Sequence, residues 1–186
     1  MKNVFIVVVV IMILSGCSSN KNQDPFSELY DVAGDLQELG SPAVVVEAQA
    51  PRRDILRDKL EGLGQASLSS QLEAKVSKLQ KGFIDEATDL DGSEVNETFM
   101  QVWKSISNNV LRGSSIFNKP MIIKEGDHYS GAAIMYLNPK IFNQSFNDSM
   151  HGHKEYTRWR SSEAFKELEK EEQKFDDYKA KNEGKW

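Results

Sequence analysis

Histidine is the side chain most often used for metal ligation and proton transfer near neutral pH, and the 186-residue chain has three of them. His151 and His153 are two residues apart, so they would share a face if their segment were extended, and His128 is the conceivable third ligand. Histidines in a polar segment are more commonly plain surface residues. We therefore predict neither a metal site nor a cofactor.

The acidic segment 85–94 has the composition of a calcium-binding loop. If Gly92 takes the sixth position of an EF-hand loop, the two anchoring positions fall on Ala87 and Thr98, and neither residue carries a carboxylate. A solvated acidic loop is the simpler interpretation of this segment.

Nucleophilic catalysis needs an activated side chain, and the sequence offers no recognisable arrangement for one. It contains no Gly-x-Ser-x-Gly elbow, no phosphate-binding loop, and no serine at a motif spacing from a histidine. We therefore predict that the protein is not an enzyme and has no small-molecule substrate.

The single cysteine, Cys17, stands at the end of a segment with the pattern of a secretory signal. Lys2 precedes an apolar run at 4–14, which is too short to span a bilayer as a helix. The run ends in Leu14-Ser15-Gly16-Cys17, which resembles a bacterial lipobox, so we predict that residues 1–16 are a signal peptide and that Cys17 carries lipid. The alternative is a secreted protein with an unmodified thiol.

The residue that follows the lipidated cysteine bears on location. Bacterial lipoproteins that are retained in the inner membrane often have Asp there, and this chain has Ser18. We therefore expect anchoring in the outer membrane, at its periplasmic face or the cell surface. Two or three acyl chains hold a protein stably on a membrane.

The charge balance excludes one large class of partners. Lys and Arg number 23 against 28 Asp and Glu, which gives a formal net charge of −5. No basic patch of the kind that binds nucleic acid is evident in the sequence. Removal of residues 1–16 leaves 170 residues, enough for one domain with a substantial core.

Apolar spacing and turn residues predict an α+β fold with a small antiparallel sheet of about three strands, packed on one face by two long helices, with extra helices at both ends. Two strands join at Gly126-Asp127, a strong hairpin signal. The strands are expected at 43–48, 115–125 and 128–137, and the helices at 24–39, 52–83, 94–111 and 162–181.

Within these elements, Gly62 and Gly64 lie where the leucine stripe of the first long helix changes phase, so we expect a bend or a tight crossing there. Trp103 and Leu111 are predicted core residues beneath the sheet. The strand at 115–125 is expected to be an exposed edge that pairs with another chain.

The predicted domain organisation follows from these elements. Residues 17–23 form a lipidated tether, residues 24–139 form the α+β domain, and residues 140–186 form a polar linker with a charged C-terminal helix. Trp186 at the end is a conceivable docking handle.

The segment before the hairpin carries a family resemblance. Ser107-Asn108, Leu111 and Gly113, followed by a hairpin whose second strand starts at Tyr129, resemble the LPP-twenty lipoproteins. These are small bacterial outer-membrane lipoproteins, similar to the lipoproteins of flagellar outer-membrane disks. The family has no established catalytic residues, so the resemblance implies a role only for the lipidated Cys17.

Together these observations predict a lipid-anchored outer-membrane lipoprotein with a non-catalytic structural or assembly role in the cell envelope. Its expected partners are membrane lipid, through Cys17, and either further copies of itself or another envelope protein. The alternative is a monomeric periplasmic adaptor that regulates an envelope enzyme or machine.

Overall fold

A computed structural model describes residues 24–181 of the chain. Outside the described residues lie the predicted signal segment 1–16, the predicted lipid-attachment residue Cys17, the predicted tether 17–23 and Trp186. Within them the fold is α+β, as predicted. The elements are α1 (Ser27–Glu38), β1 (Ala43–Ala50), α2 (Arg53–Glu86), α3 (Gly92–Arg112), β2 (Ser115–Glu125), β3 (His128–Tyr136), α4 (Pro139–Met150), α5 (Tyr156–Ser161) and α6 (Glu163–Lys181).

The three strands form one antiparallel sheet in the order β1-β3-β2. The predicted hairpin joins β2 to β3 through Gly126, whose φ of 61° suits a residue without a Cβ. β3 then pairs with β1 along the whole strand, from Ala43 opposite Tyr136 to Ala50 opposite Tyr129. The hairpin therefore supplies the central strand, and β1 and β2 are the two edges.

Helix α2 covers one face of the sheet and then leaves it. Its buried residues recur almost every fourth position: Leu56, Leu60, Gly64, Leu68, Leu72, Val76, Leu79 and Phe83. Four residues advance the helix about 40° beyond a full turn, so this stripe winds around the helix axis. Its first turns pack on β1 and β3, and its later turns pack on α3 and α6.

The predicted change of phase in α2 is wrong, because Gly64 itself continues the stripe. A Cβ at Gly64 would lie 2.8 Å from the Met135 Cβ, so the glycine permits a close approach of the helix to β3. A Cβ at Gly62 would have no atom of this kind within 4 Å, and the side chain of Leu63 is exposed. The element is one continuous helix.

Helix α1 packs on the opposite face of the sheet from α2, which adds a layer to the predicted arrangement. Ala33 and Leu36 contact a cluster that includes Ala43 and Ile134. Ala43 and Val46 belong to different clusters, and the odd separation of three residues places their side chains on opposite faces of β1. The helix begins at Ser27, after a turn in which the Phe26 amide donates to Asp24 Oδ1 at 3.0 Å.

The segment after residue 139 is not a polar linker, and this prediction is corrected. Asn138 Oδ1 accepts the Lys140 amide at 2.9 Å and caps α4, which Pro139 opens. Phe142, Phe146 and Met150 of α4 are fully buried in the main core.

Trp159 of α5 completes this aromatic core. Its ring lies 5.4 Å from both Phe99 and Phe146, and 6.0 Å from Phe83. Trp103 is buried as predicted, and Leu111 is only partly buried. Neither lies beneath the sheet as predicted, because α3 is separated from the sheet. Helix α3, which carries both residues, packs on α2 and α4.

The C-terminal helix α6 docks on the domain. Ser162 Oγ accepts the Phe165 amide at 3.1 Å and caps the start of the helix. Phe165, Leu168 and Phe175 are buried, the last of them in the α1 cluster. Across residues 24–181, none of the helices combines the length and apolar character that crossing a membrane requires.

Candidate interaction surfaces

The histidines considered as metal ligands are placed apart from any ligand cluster. His128 Nε2 lies 3.4 Å from Glu125 Oε2 at the hairpin end, and the His151 ring lies 4.6 Å from that of Tyr156. His153 starts the turn before α5, where its carbonyl accepts the Tyr156 amide. Between residues 24 and 181 no group of three or more metal-ligating side chains comes together.

The acidic segment 85–94 is the turn between α2 and α3, and its carboxylates have structural partners. Asp91 Oδ1 accepts the Ser93 amide at 2.8 Å and caps α3. Asp89 forms an ion pair with Arg158 of α5. These contacts account for two of the acidic residues without a bound cation.

The outer edge of β1 is partly covered by side-chain donors. The Pro42 carbonyl accepts from the Leu137 amide and so points toward β3. Carbonyls alternate in direction along a strand, so those of Ala43 and Gln49 point away from β3. Ala43 O accepts Gln37 Nε2 at 2.6 Å and Gln71 Nε2 at 3.3 Å. Gln49 O accepts Lys59 Nζ at 3.3 Å. Both ends of this edge are therefore occupied.

The outer edge of β2 is interrupted by a bulge. The pairing with β3 runs to Phe117 and resumes at Met121, and Asn118 has a φ of 57°. In an antiparallel pair the backbone N–H and C=O groups of alternate residues point away from the partner strand. In β2 these are the groups of Ile116 before the bulge and of Ile122 and Lys124 after it. Such irregular edges discourage pairing with another strand, so β2 is a poorer docking edge than its sequence predicts.

A groove of about 550 Å³ separates α2 from α6 and is crossed by ion pairs. Lys75 lies 2.5 Å from Glu171, and Lys78 lies 3.6 Å from Glu167. At its end, Glu86 accepts the Glu163 amide at 2.9 Å and so neutralises the start of α6. These ion pairs add to the apolar packing of Phe165 and Leu168 in the main core, which places α6 against α2.

A second cavity, of about 620 Å³, lies between the start of α2 and the β2 bulge, and we call it the basic notch. Arg53 and Arg57 line it from α2, and Lys119 lines it from the bulge. All three side chains are exposed, and none forms an ion pair within the described part of the chain. The wall is completed by Pro120 and Ile122.

The two carboxylates that also line the basic notch leave its cationic character in place. Arg52, just outside, donates to Asp54 and lowers the pKa of that carboxyl to about 2. Asp54 is thus already paired, and only Asp58 remains to offset the three cations of the notch. The notch can accept an anionic group, and its arginines suit a carboxylate or phosphate.

The exposed face of α1 has the opposite charge, and we call it the acidic stripe. It consists of Glu28, Asp31, Asp35 and Glu38, spaced by three and four residues so that they share one face. None of the four is ion-paired among residues 24–181. Nearby, the Tyr30 hydroxyl donates to Glu47 at 2.7 Å, which raises the pKa of Tyr30.

The comparisons with known proteins add no relative. No protein-family model matches the sequence, and comparisons with curated proteins and with solved structures also found no match. The residues that could act as a site are therefore identified by geometry alone. Sequence reasoning missed the notch, because Lys119 reaches it only through the bulge.

Proposed function

We propose that this protein is a lipid-anchored outer-membrane lipoprotein with a non-catalytic structural or assembly role in the cell envelope. The observation that carries the proposal is the sequence Leu14-Ser15-Gly16-Cys17, which places the only cysteine of the chain at the end of a short apolar segment. The resemblance to the LPP-twenty lipoproteins supports the same role.

The position of the first described residue is compatible with a folded body held close to a membrane. Asp24 is seven residues from Cys17. Even a fully extended chain of that length spans only about 25 Å. Lipid at Cys17 would therefore confine every copy to a thin layer next to the membrane, where encounters between copies become frequent.

Replacement of the anchor residue tests this proposal. In cells grown with labelled palmitate, we expect the wild-type protein to carry label and to sediment with outer membranes. Cys17→Ser should lose the label and either leave the membrane fraction or remain unprocessed. Ser15→Thr, a mild change nearby that keeps the cysteine, serves as the control. Unaltered labelling and sedimentation of Cys17→Ser would rule out the lipoprotein function.

A monomeric adaptor is the second candidate, and the basic notch favours it. Three cations without ion-pair partners in residues 24–181 could receive an acidic segment of another envelope protein. The mass of the lipidated protein in detergent separates the two roles. A defined multimer supports assembly, and a monomer supports the adaptor.

A further inference from the structure

The basic notch and the acidic stripe lie on opposite faces of the sheet. The notch is formed on the α2 face, where Ile122 joins Leu56 and Leu60 in one cluster. The stripe lies on α1, which packs on the other face through Ala33 and Leu36. Because the sheet separates them, the two surfaces of one copy cannot neutralise each other.

The charges of the two surfaces also match in spacing. Arg53 and Arg57 are four residues apart on α2, and Asp31 and Asp35 are four residues apart on α1. Four residues of helix rise about 6 Å, so each pair presents like charges at nearly the same separation. If the two helices meet side by side, the arginine pair of one can therefore align with the aspartate pair of the other, in the geometry that favours paired charge-assisted hydrogen bonds.

From this complementarity we infer that the basic notch of one copy binds the acidic stripe of the next copy, which is a head-to-tail contact. The inference rests on the proposed assembly role and specifies its interface. Each copy offers both halves of the contact on opposite faces, so it can bind two neighbours at once. A heterologous contact of this kind builds a ring when its rotation closes and a filament when it does not.

The notch and the stripe are better candidates for a contact between copies than the two edges of the sheet are. The β2 edge is broken by its bulge, and both ends of the β1 edge are occupied by side-chain donors. The notch and stripe, in contrast, present charged groups without ion-pair partners in the described chain. Anchors in one membrane plane raise the effective concentration of these partners.

Charge reversal tests the contact directly in the full-length lipidated protein in detergent. Arg57→Glu and Asp35→Lys each place like charges across the contact, and each should weaken self-association at least about tenfold. Both changes are compatible with their helices, because an acidic residue near the start of α2 and a basic residue near the end of α1 suit the helix dipole. Thermal unfolding of each variant checks that the fold is kept.

Mixing the two variants gives the decisive measurement, made by analytical ultracentrifugation. The Arg57→Glu protein keeps the native stripe, and the Asp35→Lys protein keeps the native notch. An equimolar mixture therefore restores one native contact between each pair of unlike variants. We expect it to form at least heterodimers at a concentration where each variant alone is mostly monomeric. Lys104→Glu and Glu169→Lys, exposed reversals on α3 and α6, should assemble normally and serve as matched controls.

The possible results separate this inference from the proposed function. Loss of assembly in each variant with recovery in the mixture establishes the head-to-tail contact. Multimers that are insensitive to both reversals, or a mixture that does not recover, overturn the contact and leave the assembly role in place. A wild-type protein that is monomeric at high concentration overturns both the head-to-tail contact and the assembly role. The monomeric adaptor then takes their place.

Discussion

Gly64 of α2 and Met135 of β3 approach so closely that a Cβ on the glycine would lie 2.8 Å from the Met135 Cβ. The atom it would meet is bonded directly to the backbone of the central strand, so it cannot move aside as a side-chain tip can. The contact places the longest helix tightly on the sheet, and it explains why a glycine interrupts a row of leucines.

Substitution of the two neighbouring glycines of α2 should have opposite effects. Gly62→Ala adds a methyl group in open space and reduces the backbone freedom of the unfolded chain, so it should stabilise the fold by up to about 1 kcal/mol. Gly64→Ala overpacks the helix–sheet contact, at a cost of about 1 to 3 kcal/mol that exceeds this gain. Chemical denaturation measures both. A stabilised Gly64→Ala protein would contradict the close packing.

The aromatic core around Trp159 should be essential for stability. Trp159→Ala removes a fully buried side chain that contacts Phe83, Phe99 and Phe146, and we expect a loss of about 3 to 5 kcal/mol. Trp159→Phe keeps much of the packing and removes an indole N–H that has no partner among the described residues, so its loss should be smaller. Thermal unfolding followed by circular dichroism gives the order. If Trp159→Ala unfolds at the wild-type temperature, the segment after residue 139 is not part of the core.

The Lys75–Glu171 pair should contribute more to stability than its neighbour in the same groove. Its side chains are only 17% and 24% exposed, and Lys75 Nζ also lies 5.3 Å from the Phe142 ring centroid. Lys75→Ala leaves Glu171 without its partner, and we expect a loss of about 1 to 3 kcal/mol. Lys78→Ala breaks an exposed pair and should cost less than about 1 kcal/mol. Double-mutant cycles with Glu171→Ala and Glu167→Ala measure the two couplings, and equal values would contradict this ranking.

The β2 bulge should depend on the residue at position 118. Asn118 has a φ of 57°, a conformation that glycine and asparagine adopt readily and β-branched residues do not. Asn118→Gly should therefore be nearly neutral, and Asn118→Val should cost about 1 to 2 kcal/mol. Lys119→Val, at an exposed position beside it, is the control for added strand propensity. A neutral Asn118→Val would show that the bulge is absent in solution.

The parts of the fold that sequence predicted are those with strong local signals. The hairpin at Gly126 and the amphipathic α3 were identified because turn chemistry and apolar spacing act over a few residues. The bounds of α2 were also close to those observed. The predicted change of phase of its apolar stripe at Gly64 was wrong. In sequence, a glycine that allows close contact with a distant strand cannot be told from one that interrupts a helix.

Helix α4 shows a different kind of failure. Asn138 and Pro139 are a good helix start, and Phe142, Phe146 and Met150 recur every fourth residue. The polar residues between them made the segment resemble a linker, because average polarity says little about a helix with a narrow apolar face. The basic notch was beyond sequence reasoning, since the bulge that brings Lys119 to the α2 arginines depends on how β2 pairs with β3.

The order β1-β3-β2 also determines when this protein can fold. Within residues 24–181, β1 pairs only with β3, and the two strands are separated in the chain by α2, α3 and β2. The chain must lose the entropy of closing this long loop before the contacts between β1 and β3 can form. Such non-local pairing slows folding. During synthesis from the amino end, Val44-Val45-Val46 leaves the ribosome long before Ile134 and Met135 are added to pair with it. The apolar residues of β1 therefore stay unpaired for most of the time that the chain is being synthesised. We expect chaperones that bind unfolded chains to act on this segment.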